Sequence, residues 1–274
     1  MIVYYRKSRI VLAIGLILTA VLAVMTGIRR VNGAMWVLCI ALILVAALGT
    51  TVSLLTARII AGSENQKILS LLYVELDPQK FVNEYAQVPG RMRPGTAERV
   101  VCAAYLAEGL SSAGRYDEAL SALEPADRAP ASRQLALACL NAYTKSRILL
   151  QKRDFAAALQ AIKEYRALLK RARVENPQLA DNMTPGCGAL ERWLNSAIGK
   201  DVDETQLNAD ISAEPVLLRR MDLEAARADI LLESGRFKEA EEACLKMLEK
   251  CEKLSLTPVV RGILTQAQNR ECRC

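Results

Sequence analysis

Two long uncharged stretches open the chain, and beyond them most segments place their apolar residues on a helical period. Residues 10–28 run for 19 positions without a charge, and residues 34–57 for 24. As helices they extend roughly 28 and 36 Å, enough to cross a hydrocarbon core of about 30 Å. Residues 29–33 leave room only for a tight hairpin between them. Tyr4, Tyr5 and Trp36 stand where amphipathic aromatics meet a membrane interface. A basic start followed by an apolar run also describes a cleaved signal peptide, but no A-x-A site follows the first stretch. The second would remain a span even after cleavage.

From Ser63 the pattern turns amphipathic. Residues 63–66 read as a capping box opening a short helix, and Asp77 before Pro78 reads as the cap of another near Phe81 and Tyr85. Pro89, Gly90, Pro94 and Gly95 mark a loop. Helices are then predicted over 97–113, 116–124, 130–151, 153–175, 187–198, 202–212, 215–234, 236–254 and 258–270, with almost no strand-like alternation. Prolines 125, 177, 215 and 258 punctuate them. The domains expected are a transmembrane helical hairpin over 1–58, a helical connector over 59–96 and a repeat domain over 97–274.

Charge sharpens this picture. The chain carries 36 basic and 30 acidic residues, a net +6. Six of the basic residues, and no acid, lie in the first 58 positions. The rest is balanced, which argues against a nucleic-acid footprint. Arg6, Lys7 and Arg9 before the first stretch, with Arg58 and Lys67 after the second, favour both ends inside over a loop holding Arg29 and Arg30. Ala23 and Gly27, or Gly49 and Ser53, are spaced to let helices approach closely. The absence of histidine removes the usual general base at neutral pH, and an enzyme is not expected. The 8 cysteines do not form a disulfide framework. Cys39 lies in an apolar stretch, Cys102, Cys139 and Cys187 are isolated, and Cys244 and Cys251 are placed on one helix beyond disulfide reach. Reduced thiols suit a cytosolic compartment.

Four segments repeat a corner: a helix end, a small residue, an aromatic, then alanine three positions on. They centre on Tyr116, Phe155, Val202 and Phe237, at spacings of 39, 47 and 35 residues, a period typical of an α-solenoid. Nine positions before each centre stand Ala107, Ser146, Trp193 and Ala228. Three positions after stand Ala119, Ala158, Thr205 and Ala240. Small residues at both places let paired helices cross closely. On these residues, with Leu110, Leu149, Leu231, Gly114, Gly235 and Met247, the chain resembles the tetratricopeptide repeat family over about 97–270. The second copy lacks the corner glycine, and the third, with Trp193 and Val202, is degenerate.

An all-α fold is expected: a transmembrane hairpin from the two uncharged stretches, then, as the resemblance implies, a solenoid of about four helix pairs and a solvating cap at 258–270. The resemblance implies no cofactor, metal or catalytic residue. It also implies a concave surface for a protein or peptide, carried by Glu108, Tyr143, Arg147, Asp222 and Asp229. Cys251, Cys272 and Cys274 match no ordinary zinc spacing. Asp201, Asp203 and Glu204 suit a helix N-terminus better than a cation. The basic run from Lys163 to Arg173 reads as a solvated face. The function expected is a scaffold at the inner face of a bacterial-type cytoplasmic membrane. The alternative is an assembly or chaperone-like subunit acting through its spans.

Overall fold

The computed structural model describes residues 6–28, 35–127 and 134–271. The expectations placed on Tyr4, Tyr5, residues 29–33, Cys272 and Cys274, and on the side chains of Ala23, Gly27, Trp36 and Cys39, lie outside the described residues. Among the described residues the chain is all-helical, and it divides into two compact units, Met1–Ile68 and Leu69–Cys274.

The first unit holds α1 (Arg6–Ile28) and most of α2 (Met35–Tyr73). The helices interlock through small residues. A Cβ added at Gly15 would collide with the Ser53 hydroxyl, and one added at Gly49 with Thr19. Ser53 and Thr19 turn those hydroxyls back on the Gly49 and Gly15 carbonyl oxygens of their own helices, at 2.7 and 2.8 Å. Both hydroxyls are thereby satisfied at the crossing. Lys7 pairs with Glu64 at 2.9 Å. Large apolar side chains such as Ile17, Leu18, Ile43 and Leu48 point outward. Among the described residues one helical stretch, Ile43–Tyr73, is long and apolar enough to cross a membrane. The separate short helix expected from Ser63 does not exist. No proline or turn interrupts the backbone there, so α2 continues to Tyr73 through the change in composition.

In the second unit, α3 (Pro78–Tyr85) begins as its sequence predicts, with the Asp77 carboxylate accepting from the Lys80 amide at 3.1 Å. Phe81 and Tyr85 are buried and stacked. A 3₁₀ turn (Pro89–Arg91) leads to α4 (Ala97–Ser112), α5 (Tyr116–Asp127), α6 (Leu135–Gln151), α7 (Phe155–Glu175), α8 (Pro177–Ala197), α9 (Glu204–Ala213), α10 (Leu217–Glu233), α11 (Phe237–Leu248) and α12 (Thr257–Glu271). Helices pair as α4 with α5, α6 with α7 and α10 with α11. The first helices also pack side by side, α4 on α6, α6 on α8, α8 on α10, and α10 on α12.

The corners share one backbone device. Gly114, Arg153, Gly199 and Gly235 all have positive φ, between 63° and 81°. Each closes its helix with paired hydrogen bonds, as in Gly235 N–H to Leu232 O and Arg236 N–H to Leu231 O. That is the Schellman ending. Arg153 therefore stands where the other corners use glycine, in a conformation that costs a side chain about 1–2 kcal/mol. Allowing for glycine's greater unfolded-state entropy, Arg153→Gly is expected to stabilise the domain by up to about 1 kcal/mol. Arg153→Val should destabilise it, as read by chemical denaturation.

Ala119, Ala158 and Ala240 are fully buried where the paired helices cross, as are Ala107, Ser146 and Ala228. Ala240→Leu is expected to cost about 1–3 kcal/mol through overpacking, and Glu241→Leu little. Equal melting temperatures for Ala240→Leu and the parent would contradict that packing. The third corner departs: α9 starts only at Glu204, capped by Asp203, so Leu207 is buried and Thr205 is exposed.

Two elements differ further from expectation. Helix α8 starts ten residues early, because Asn176 caps it and Pro177 occupies the first turn. It then runs through Pro185, where the Tyr165 hydroxyl donates to the Met183 carbonyl oxygen at 3.0 Å. Helix α11 stops at Leu248, so Cys251 is off the helix, and both Cys244 and Cys251 are free and buried. The segment after α11 returns to the first corner. Ser255 N–H donates to Ser112 O at 2.8 Å and its hydroxyl to Ser111 O at 3.0 Å. The last pair thus touches the end of α4.

Candidate functional site: a buried charge cluster and its adjoining cavity

The side-by-side first helices bring Glu108 of α4, Arg147 of α6, and Arg219 and Asp222 of α10 together. The Arg147 guanidinium lies between two carboxylates, donating through Nη1 to Glu108 and through Nη2 to Asp222. Arg219 donates from Nε to Glu108 Oε1 at 3.0 Å and from Nη2 to Oε2 at 3.4 Å. The Tyr73 hydroxyl donates to Glu108 Oε2 at 2.6 Å, and Gln151 Nε2 to Asp222 at 3.1 Å. Two acids face two guanidinium groups, so the interior charge is balanced.

Glu108, Arg147 and Asp222 keep only 5%, 4% and 3% of their surface exposed. Burial alone would raise the Glu108 carboxyl, but Arg219 and Arg147 outweigh it and hold the group down at about 2. Asp222 shares its one guanidinium with Glu108, and burial leaves its carboxyl above the ordinary value. Tyr143 is half-buried, packed edge-on against Tyr165, with the Arg219 guanidinium 5.3 Å from its ring centre. Of the five residues expected on a concave binding surface, three are thus locked to one another and Tyr143 stacks beside them.

The fifth, Asp229, takes no part in that cluster. It lines a cavity of ≈ 120 Å³ together with Asp222, Tyr116, Phe155 and Trp193. No family model, curated protein or solved structure matches this chain. What the site does must be read from its own chemistry. Asp229 is half-buried and has no hydrogen-bond or ion-pair partner among the described residues. Burial pushes its carboxyl up, Glu233 adds to that, and Arg153 opposes it. Gln151 Oε1, also in the wall, is buried without a partner.

Sequence reasoning placed Tyr116, Phe155 and Trp193 only in the packing pattern. Their convergence depends on the return of the 249–256 segment, which no local signal announces. The thiols offer little reactivity. Burial, with Glu191 adding, pushes Cys187 up to about 11, and burial with Asp229 does the same for Cys244. Among the described residues no three metal-ligating side chains converge.

Proposed function

We propose that this chain is a membrane-anchored, tetratricopeptide-like binding module that holds a protein or peptide partner at the cytosolic face of the cytoplasmic membrane. The observation that carries this reading is the cavity. Its wall is drawn from α5, α6, α7, α8, α10 and α12, so it exists only when successive helix pairs stack. A packed array needs no such cavity. A binding module does, and the cavity's mixed wall of aromatic rings and carboxylates is the usual lining of a ligand site.

Residues 1–58 are read as a two-span anchor, with α1 and the apolar part of α2 antiparallel. The Gly15–Ser53 and Thr19–Gly49 crossing and the Lys7–Glu64 pair support this reading, in which both ends share one side. Accordingly, a membrane-impermeant thiol reagent should label Cys272 and Cys274 in lysed but not in intact cells. Strong labelling of intact cells would reverse the topology.

The alternative, an assembly subunit acting through its spans, would need span surfaces shaped for a protein neighbour. Here the small residues Gly15, Gly49 and Ser53 are used within the hairpin itself, and the outward faces carry large aliphatic side chains suited to lipid. Replacing residues 1–58 with an unrelated two-span anchor separates the readings. The module is expected to keep its cross-linked partner after the exchange, whereas a subunit acting through its spans would lose it.

A further inference from the structure

We infer that the cavity beside Asp229 receives one alkylammonium group, from a lysine side chain or a small free amine. The inference rests on the binding-module reading and adds the chemistry of what is bound.

The unpaired carboxylate in the wall carries it. Several donors that line the cavity are already spent. The Ser196 hydroxyl donates to Ala226 O at 3.2 Å and the Ser255 hydroxyl to Ser111 O at 3.0 Å. The Gln151 amide nitrogen donates to Asp222. One acceptor in the same wall remains unspent, the Asp229 carboxylate, whereas the unpartnered Gln151 Oε1 is buried out of reach of a guest. A carboxylate held half out of water without a partner destabilises the fold. An ammonium group carries three N–H donors and a positive charge. It pairs with the Asp229 carboxylate and removes the cost of leaving that group unpaired.

The rest of the wall suits such a ligand's other parts. Tyr116, Phe155 and Trp193 present aromatic surface, which attracts a cation through the ring quadrupole. Leu150 and Ile263 present aliphatic surface that would cover an alkyl stem. The volume, ≈ 120 Å³, is close to that of cavities of about 150 Å³ known to admit a benzene-sized guest. One side-chain end fits, and a folded peptide does not. Arg153 lines the edge and is the internal competitor for Asp229, but its side chain is exposed and makes no ion pair with it.

The test uses the full chain in detergent micelles carrying Trp36→Phe, so that Trp193 is the sole tryptophan. The probes are n-butylammonium, n-butanol and Nα-acetyl-lysine N-methylamide, followed by Trp193 fluorescence and calorimetry. Saturable butylammonium binding is expected, at least ten-fold weaker in Asp229→Asn and within about three-fold of the parent in Glu233→Gln, which alters a nearby charge outside the wall. Tighter binding of the lysine derivative than of butylammonium identifies a protein partner as the source, and the reverse a free amine. Equal binding of butanol and butylammonium would overturn the ammonium inference while leaving an apolar binding cavity. Unchanged binding by Asp229→Asn, or no binding of any probe, would overturn it too. In each of these cases the module reading is judged separately, by partner cross-linking at the cavity.

Discussion

Arg147→Met is expected to destabilise the helix-pair domain by about 3–5 kcal/mol, the range for removing one partner of a buried ion pair. The reason lies in how its two carboxylates are shared. Glu108 keeps Arg219 and the Tyr73 hydroxyl after the change, but Asp222 keeps only Gln151. An almost fully buried carboxylate is then left with a single amide donor. Arg147→Met combined with Asp222→Leu should recover a large part of the loss, since the orphaned charge is gone. Chemical denaturation of both variants checks this. A loss below about 1 kcal/mol for Arg147→Met would mean that water reaches the cluster.

Acid is expected to undo the same cluster from the other side. Glu108 has its carboxyl lowered from 4.5 to about 2 in the folded state. A lowered carboxyl contributes stability that is complete above the unfolded value and is lost as pH falls through the folded one. Domain stability should therefore fall between about pH 4.5 and pH 2, by on the order of 3 kcal/mol. Asp222, Asp229 and Glu224 act in the opposite sense. Burial raises their carboxyls, so they take up protons more readily when folded, and stability rises as pH falls through their raised values. The profile should rise gently on acidification and then drop. Glu108→Gln should remove most of the drop and keep the rise, although it starts from a less stable fold. A drop retained in Glu108→Gln would assign the acid sensitivity to other carboxylates.

The corners were legible in the sequence because their requirements are local. Positive φ favours glycine, a close crossing favours alanine, and the Asp154 and Asp203 caps announce their helices. Even the departure at Arg153 was visible as a missing glycine. Boundaries failed where a single residue outranked the pattern. The stretch left between the helices expected over 153–175 and 187–198 is itself helix, and α8 runs on through Pro185 with Tyr143 and Tyr165 packed against it. Composition misled at Ser63, where a change of solvent was read as a change of element. The choice of Glu108, Arg147 and Asp222 selected residues that do converge, but their mutual neutralisation is a long-range property. Arg219 meets Glu108 across 111 residues, a pairing no spacing rule reveals. The cavity was illegible for the same reason, since it needs Ser255 to return to Ser112.

The central claim is that stacked helix pairs build one cavity that meets a partner, and in-cell photo-cross-linking tests it most directly. A photoreactive amino acid is placed at Val259, in the cavity wall, and separately at Leu159, exposed on α7 outside that wall. The account predicts a discrete adduct from position 259 that is lost on adding Asp229→Asn, and none from position 159. Adducts from position 159 with none from position 259 would contradict it and place the contact on the outer face of the helix pairs.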